Sequence, residues 1–149
     1  MNQSETISEL AKALCAFQAE VETAKKGSQG YGYKYSDLSQ VISTAKPILA
    51  KNFLSVSQSL SHTEQGHNTI VTTLLHASGQ YMQSECIIPQ LAASKNLNAA
   101  QALGASISYM RRYAYQAILG MTSEDNDTAT VPAPQQPQFQ QPQQGYPQR

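Results

Sequence analysis

Apolar positions change period along this chain, and each change marks a new element. Ile7, Leu10, Leu14, Phe17, Val21 and Ala24 recur at alternating spacings of three and four, which predicts a helix over residues 6–24. Thr6 followed by Glu9 has the form of a capping box at its start, and Lys25-Lys26-Gly27 supplies a cationic last turn and a glycine stop. A loop dense in Gly and Tyr follows over residues 28–35. Leu38, Val41, Ile42, Ala45, Ile48 and Leu49 define the buried face of a second helix over residues 37–51, with Ser36 as its N-cap. Pro47 lies inside that pattern and is expected to kink or divide the helix, because its ring removes a backbone donor and crowds the preceding turn. Asn52 is placed to close the helix in a left-handed conformation.

Beyond Leu54 the period falls to two. Leu54, Val56 and Leu60 alternate with serines up to His62, which suits a half-buried strand over residues 54–62. A turn at Thr63-Glu64-Gln65-Gly66 leads to a second strand over residues 69–76, rich in β-branched side chains. Ala77-Ser78-Gly79-Gln80 is the next turn, and a third strand over residues 81–88 ends at Pro89. Connections this short imply an antiparallel meander. Asn98 with Gln101 gives another capping pattern, opening a last helix over residues 98–120. Leu103, Ile107, Met110, Ala114, Ala117 and Ile118 form the stripe expected to face the sheet. The order helix, helix, three strands, helix predicts an α+β fold: an antiparallel three-stranded sheet packed on a helix, with two helices before it.

Composition sets the limits of this domain. The 149 residues are 40% hydrophobic but only 13% charged, so the surface draws its polarity from Ser, Thr, Asn and Gln. Near Val131 the sequence turns almost wholly to Gln and Pro, which cannot bury enough apolar area to offset ordering entropy. The expected division is a folded domain over residues 1–127 and a disordered Gln/Pro-rich tail over residues 128–149. Cys15 and Cys86 are the only cysteines, and read as two free thiols packed as small apolar residues in a reducing compartment. No secretory signal is apparent, and no apolar run approaches the roughly 18 residues of a membrane span. A soluble cytoplasmic protein without a membrane partner is implied.

Charge distribution bears on the chemistry more than charge total. Lys and Arg together number 10, as do Asp and Glu, so the formal net charge is zero. Lys12, Lys25, Lys26, Lys34, Lys46 and Lys51 nevertheless share one stretch with Glu20, Glu22 and Asp37, whereas Glu124, Asp125 and Asp127 cluster after the last helix. Within the last helix, Met110 falls on the core stripe while Arg111 and Arg112 diverge. Gly104, Ser108, Arg111 and Tyr115 share one face, and Ser106, Tyr109, Arg112, Tyr113 and Gln116 share the other. Gly104, Ala105 and Ser108 are small enough to admit a neighbouring backbone or a ligand. Arginine offers a permanently charged planar fork for phosphate and tyrosine a stacking face for bases, so Tyr109, Arg111, Arg112 and Tyr113 suit single-stranded nucleic acid. An Arg-Arg-Tyr string by itself is more often a solvated face with an ion pair. Lys25, Lys26, Tyr31, Tyr33, Lys34 and Tyr35 interleave cations and aromatics in the same way, with Gly27, Gly30 and Gly32 between them. A Tyr-rich loop packed on its own domain is the alternative there.

Several spaced motifs together resemble the ERF (essential recombination function) family of phage single-strand DNA annealing proteins. They are Tyr33-Lys34-Tyr35-Ser36-Asp37-Leu38 with Val41 and Pro47, then Leu75-His76-Ala77-Ser78-Gly79. The third, and most specific, is the run from Gln101 through Gly104 to Ser108-Tyr109-Met110-Arg111-Arg112-Tyr113. Tyr115 departs from the family pattern, standing where an aliphatic residue is common, and the acidic stretch after the last helix lacks a closing glycine. The resemblance implies a β-β-β-α core shared with eukaryotic recombination annealing proteins. It implies assembly into rings or filaments, single-strand binding, and annealing of complementary strands without ATP in a bacterial host. A phage exonuclease or a host single-strand-binding protein is the further partner it brings in. No Gly-rich Walker loop is present, in keeping with a non-catalytic protein that needs no cofactor.

Other chemistries find little footing. His62, His67 and His76 have no second ligand at metal spacing, no nucleophile elbow occurs, and Glu85 is an isolated strand carboxylate. Two alternatives to annealing stay open at this level. One is a protein that coats single strands without pairing them. The other is a metal-dependent nuclease built on Glu124, Asp125 and Asp127.

Overall fold

A computed structural model describes residues 2–27, 38–90 and 98–121, with side chains only as far as Val21 in the first stretch. Its elements run β1 (Asn2–Gln3), α1 (Ser8–Gly27), α2 (Leu38–Lys51), β2 (Leu54–His62), β3 (Asn68–His76), β4 (Tyr81–Ile87) and α3 (Ala99–Leu119). The α+β class holds, but the sheet has four antiparallel strands rather than the expected three, in the order β1-β4-β3-β2. The added strand is the two-residue β1, whose Asn2 and Gln3 lie opposite Gln83 and Met82 of β4. Two residues carry no readable period, so alternation had no means of showing it.

Register places one face of the sheet under the helices. Leu54, Val56 and Gln58 on β2 lie opposite His76, Leu74 and Thr72 on β3, and Leu74 is opposite Met82 on β4. Leu10, Phe17 and Val21 of α1, Val41, Ala45 and Leu49 of α2, and Tyr115 and Leu119 of α3 close over this face into one core. Ser55, Ser57, Ser59 and Ser61 take the opposite face and are exposed. Alternation of apolar and serine positions is thus the physical divide between core and solvent in β2. Leu60 is the exception: it belongs to the inner set, yet it is 61% exposed near the end of the strand.

Helix ends depart from the local reading in instructive ways. Thr6 and Glu9 do not form a capping box. The backbone N–H groups of Glu9 and Leu10 both donate to Oε1 of Gln80, at 2.9 and 3.0 Å, while Glu9 pairs with Lys12 at 2.9 Å. Pro47 does not divide α2, which runs unbroken from Leu38 to Lys51. Pro47 and Ser43 are both exposed, so the missing bond lies on the solvent side, where it disturbs the core least. The left-handed residue after α2 is Phe53, with φ of 56°, rather than Asn52. Asn52 instead caps by its side chain, Nδ2 donating to the Ile48 carbonyl at 2.9 Å.

The buried stripe of α3 is rotated from the expected one. Ala102, Ser106, Tyr115, Gln116 and Leu119 are buried, whereas Leu103 is 39% exposed and Ala117 is exposed. Ranking positions by hydrophobicity favoured Leu103 over Ser106, but Ser106 lies one turn beyond Ala102 and shares its inward direction. Among the described residues, Ser106 Oγ and Gln116 Nε2 are buried without a hydrogen-bond partner. Gly104 has no neighbour within 4 Å of where a Cβ would stand, so nothing in the described structure uses the close approach it permits. Cys86 is part-buried and its thiol is pushed up, first by burial, but Cys15 is exposed on α1 rather than packed as an apolar residue. Among the described residues, no helix is long and apolar enough to cross a membrane.

Candidate nucleic-acid interface

The candidate site is built on α3, whose two ends are fixed by local chemistry. Asn98 Oδ1 accepts from the Gln101 N–H at 2.9 Å, and Gln101 Oε1 accepts from the Asn98 N–H at 3.0 Å, so the capping box is complete. At the other end Gly120 adopts φ of 66° and its N–H bonds the Ala117 carbonyl at 3.2 Å. Between these ends the helix holds adjacent arginines in different surroundings.

Arg112 joins an aromatic cluster. Its guanidinium carbon lies 5.0 Å from the centre of the Tyr113 ring and 5.7 Å from that of Tyr109. The two rings are 4.5 Å apart and tilted by 51°, and Nη2 of Arg112 donates to the Tyr113 hydroxyl at 3.4 Å. Tyr109 remains 51% exposed, so its ring lies beside the cation and Tyr113 while part of it is open to solvent.

Arg111 turns instead toward β2 and α2. Its Nε donates to Gln58 Oε1 at 3.3 Å, and Gln58 Nε2 donates to the Arg111 carbonyl at 3.0 Å and to Thr72 Oγ1 at 3.1 Å. Gln58 therefore holds both the side chain and the backbone of Arg111. Arg111 also lines a cleft of about 360 Å³ between α2, β2 and α3, together with Lys46, Gln58 and Tyr115. Tyr115 is 5% exposed and belongs to the core, and burial raises its hydroxyl pKa above the ordinary tyrosine range. The aromatic at this helix position thus forms the cleft's inner wall.

Of the residues singled out from the sequence, the structure brings together Tyr109, Arg112 and Tyr113 and places Arg111 apart from them. Lys25 and Lys26 fall in the last turn of α1, with side chains outside the described residues. Tyr33, Lys34 and Tyr35 lie outside the described residues altogether, as do Glu124, Asp125 and Asp127. Glu85 is exposed and accepts from Thr69 Oγ1 at 2.6 Å. Lys46 and Gln58 were not singled out. Their residue types carry no signal in the sequence: Lys46 is one lysine among several, and Gln58 is one polar position in β2. Only tertiary packing sets them beside Arg111.

Comparison with known proteins gives this geometry a family. The model of the ERF superfamily matches residues 10–149. This chain belongs to the ERF superfamily. The essential recombination function protein of Salmonella phage P22 is similar to it, with 26% identity over 117 residues, covering 77% of this chain and 57% of that protein. The chain thus spans a little over half the length of that relative. No solved structure shows a significant match.

Proposed function

We propose that this ERF superfamily member is a recombination protein that binds single-stranded DNA on α3 and anneals complementary strands without ATP or catalysis. The observation that supports it is the half-exposed Tyr109 ring, flanked by Tyr113 and by the Arg112 guanidinium. A cation beside a partly open aromatic face serves phosphate and base together, which single strands require and duplexes, with stacked bases, do not. The phage P22 relative is by name an essential recombination function protein, and single-strand pairing is the chemistry this surface would contribute. Display of a strand for pairing requires many subunits along it, so the working form is a homo-oligomeric ring or filament in the bacterial cytoplasm. Residues 128–149, rich in Gln and Pro, follow the DNA-binding domain and are available to a nuclease or a single-strand-binding protein.

Fluorescence anisotropy of a labelled oligothymidylate, measured across a salt series, tests this reading. R112A should weaken binding about tenfold and reduce the slope of log K against log salt by about one. Y109A should weaken binding about tenfold with the salt slope kept, because stacking releases no counterions. Wild-type affinity and slope in both variants would rule the surface out. Mixing labelled complementary oligonucleotides then separates annealing from coating, since a coating protein slows pairing and an annealing protein speeds it. Incubation of the same strands with Mg²⁺ or Mn²⁺ should leave them intact, and cleavage products would point to a nuclease.

A further inference from the structure

We infer that the cleft between α2, β2 and α3 is a second contact on the same strand, a site for a backbone phosphodiester held by Lys46 and Arg111. The inference rests on the single-strand reading above and names residues and a path that the aromatic cluster does not supply.

Charge pairing is the first argument. The cations with described side chains are Lys12, Lys46, Lys51, Arg111 and Arg112. Lys12 is paired with Glu9 and Lys51 with Glu20, each at 2.9 Å, and Arg112 lies against two tyrosines. Lys46 and Arg111 have no carboxylate partner among the described residues, and both line the same cleft. Neither this cleft nor the adjoining one contains Asp or Glu in its lining. A part-buried guanidinium is costly to leave without a counter-ion, and an anion entering from solvent removes that cost.

Preorganisation is the second. Gln58 Oε1 accepts a hydrogen bond from Arg111 Nε and Gln58 Nε2 donates to the Arg111 carbonyl, so the remaining guanidinium nitrogens are presented from a fixed base. The walls around the two cations are apolar, with Ile42, Leu49 and Val56 among them. An anion carried on an apolar group fits such a lining better than a free, fully hydrated ion, and a phosphodiester with its attached sugar is of that kind.

Continuity is the third. On the other side of Gln58 and Arg111 lies a second hollow of about 270 Å³, lined by Ser59, Leu60, Ile70 and Ile107. The two hollows share Gln58 and Arg111, so Arg111 stands midway along a groove that follows β2. Because β2 is the edge strand of the sheet, no further strand among the described residues closes that side. An open groove with a cation at its middle suits a polymer passing through, more than a mononucleotide held at an end.

Binding of a fluorescent oligothymidylate to the full chain is the test, alongside the same oligomer with neutral methylphosphonate linkages. K46E should weaken binding at least tenfold and K46A about threefold, and each should lower the salt slope by about one. R111A should weaken binding about tenfold, while K46R stays near wild type. The neutral oligomer should bind wild type weakly and K46A no more weakly than wild type. Thermal unfolding of each variant guards against misfolding, and if R111A does not fold, the exposed Lys46 variants carry the test. Wild-type affinity and slope in K46E and K46A, with R112A impaired, would overturn the cleft and leave the aromatic surface standing. Absence of any single-strand binding by the wild-type chain would overturn both.

Discussion

The first and last helices of this protein begin by different physics. At α3 the start is written in four consecutive residues: Asn98 and Gln101 satisfy each other's backbone N–H groups and need nothing else from the fold. At α1 the two free N–H groups of Glu9 and Leu10 are taken by Gln80, which is some 70 positions away and sits in the turn between β3 and β4. The same Gln80 donates to Thr6 Oγ1 at 3.3 Å. Next to it, Ser4 and Tyr81 exchange bonds at 3.0 and 3.1 Å, which lays β1 along β4. So the start of α3 needs only residues beside it in the chain, whereas the start of α1 needs the hairpin to be in place. A helix proposed to carry a binding surface gains from the first arrangement, because its start does not depend on distant contacts.

The far end of α3 offers the largest way to disturb this contrast. Gly120 stands at φ of 66°, and a Cβ there would lie 2.6 Å from Nε2 of Gln18. That amide donates to the Leu119 carbonyl at 3.1 Å and ties α1 to α3. G120A forces a side chain into the left-handed region, at about 1–2 kcal/mol, and displaces a hydrogen bond that contributes about 1 kcal/mol. The expected loss is about 2–3 kcal/mol in urea unfolding. A loss under about 1 kcal/mol would mean that the local end of α3 tolerates change as readily as a loop does.

Gln80 and Asn98 give the direct comparison. Q80A removes the acceptor of two helix-start N–H groups and a tether to Thr6, and should cost about 1.5–2 kcal/mol. Q80E, which keeps an acceptor oxygen, should recover most of that. N98A removes a single cap acceptor and should cost about 1 kcal/mol. Hydrogen exchange sharpens the point: Q80A should speed exchange at Glu9 and Leu10, and N98A at Gln101. If N98A proved the more damaging, the claim that α1 depends on the hairpin for its start would fail.

Legibility in the sequence follows the same divide between local and distant causes. The hairpin of β2 and β3, the turn at Gly79 and the capping box of α3 were readable because each is decided by residues within a few positions of one another. The divergence of Arg111 and Arg112 was readable too, since helical geometry alone separates neighbours by about 100°. What was not readable needs two segments. Gln80 as a cap, β1 as a strand, and Lys46 beside Arg111 are each defined by a partner tens of residues away. The rotation of the buried stripe on α3 has another cause. Ser106 and Gln116 are buried by their position under other elements, and no hydrophobic pattern announces a buried polar residue.

The end of α2 supplies the smallest effect and the subtlest. Asn52 was the residue suited to a left-handed closing position, yet Phe53 occupies that conformation while 69% exposed. The Phe53 carbonyl accepts from the Ala77 N–H at 3.0 Å, and its own N–H donates to the Ala50 carbonyl at 3.2 Å, so bonds to both sides hold the residue in place. Left-handed backbone costs a residue with a Cβ about 1–2 kcal/mol, and glycine escapes that cost while losing about 0.5–1 kcal/mol in chain entropy. With little side-chain burial at stake, F53G should therefore stabilise the domain by about 0.5 kcal/mol, read as a small rise in unfolding midpoint. A fall of 1 kcal/mol or more would show that the ring makes contacts in solution that its exposure does not reveal. The sign of this one substitution decides whether the turn between α2 and β2 is set by its backbone bonds or by its aromatic side chain.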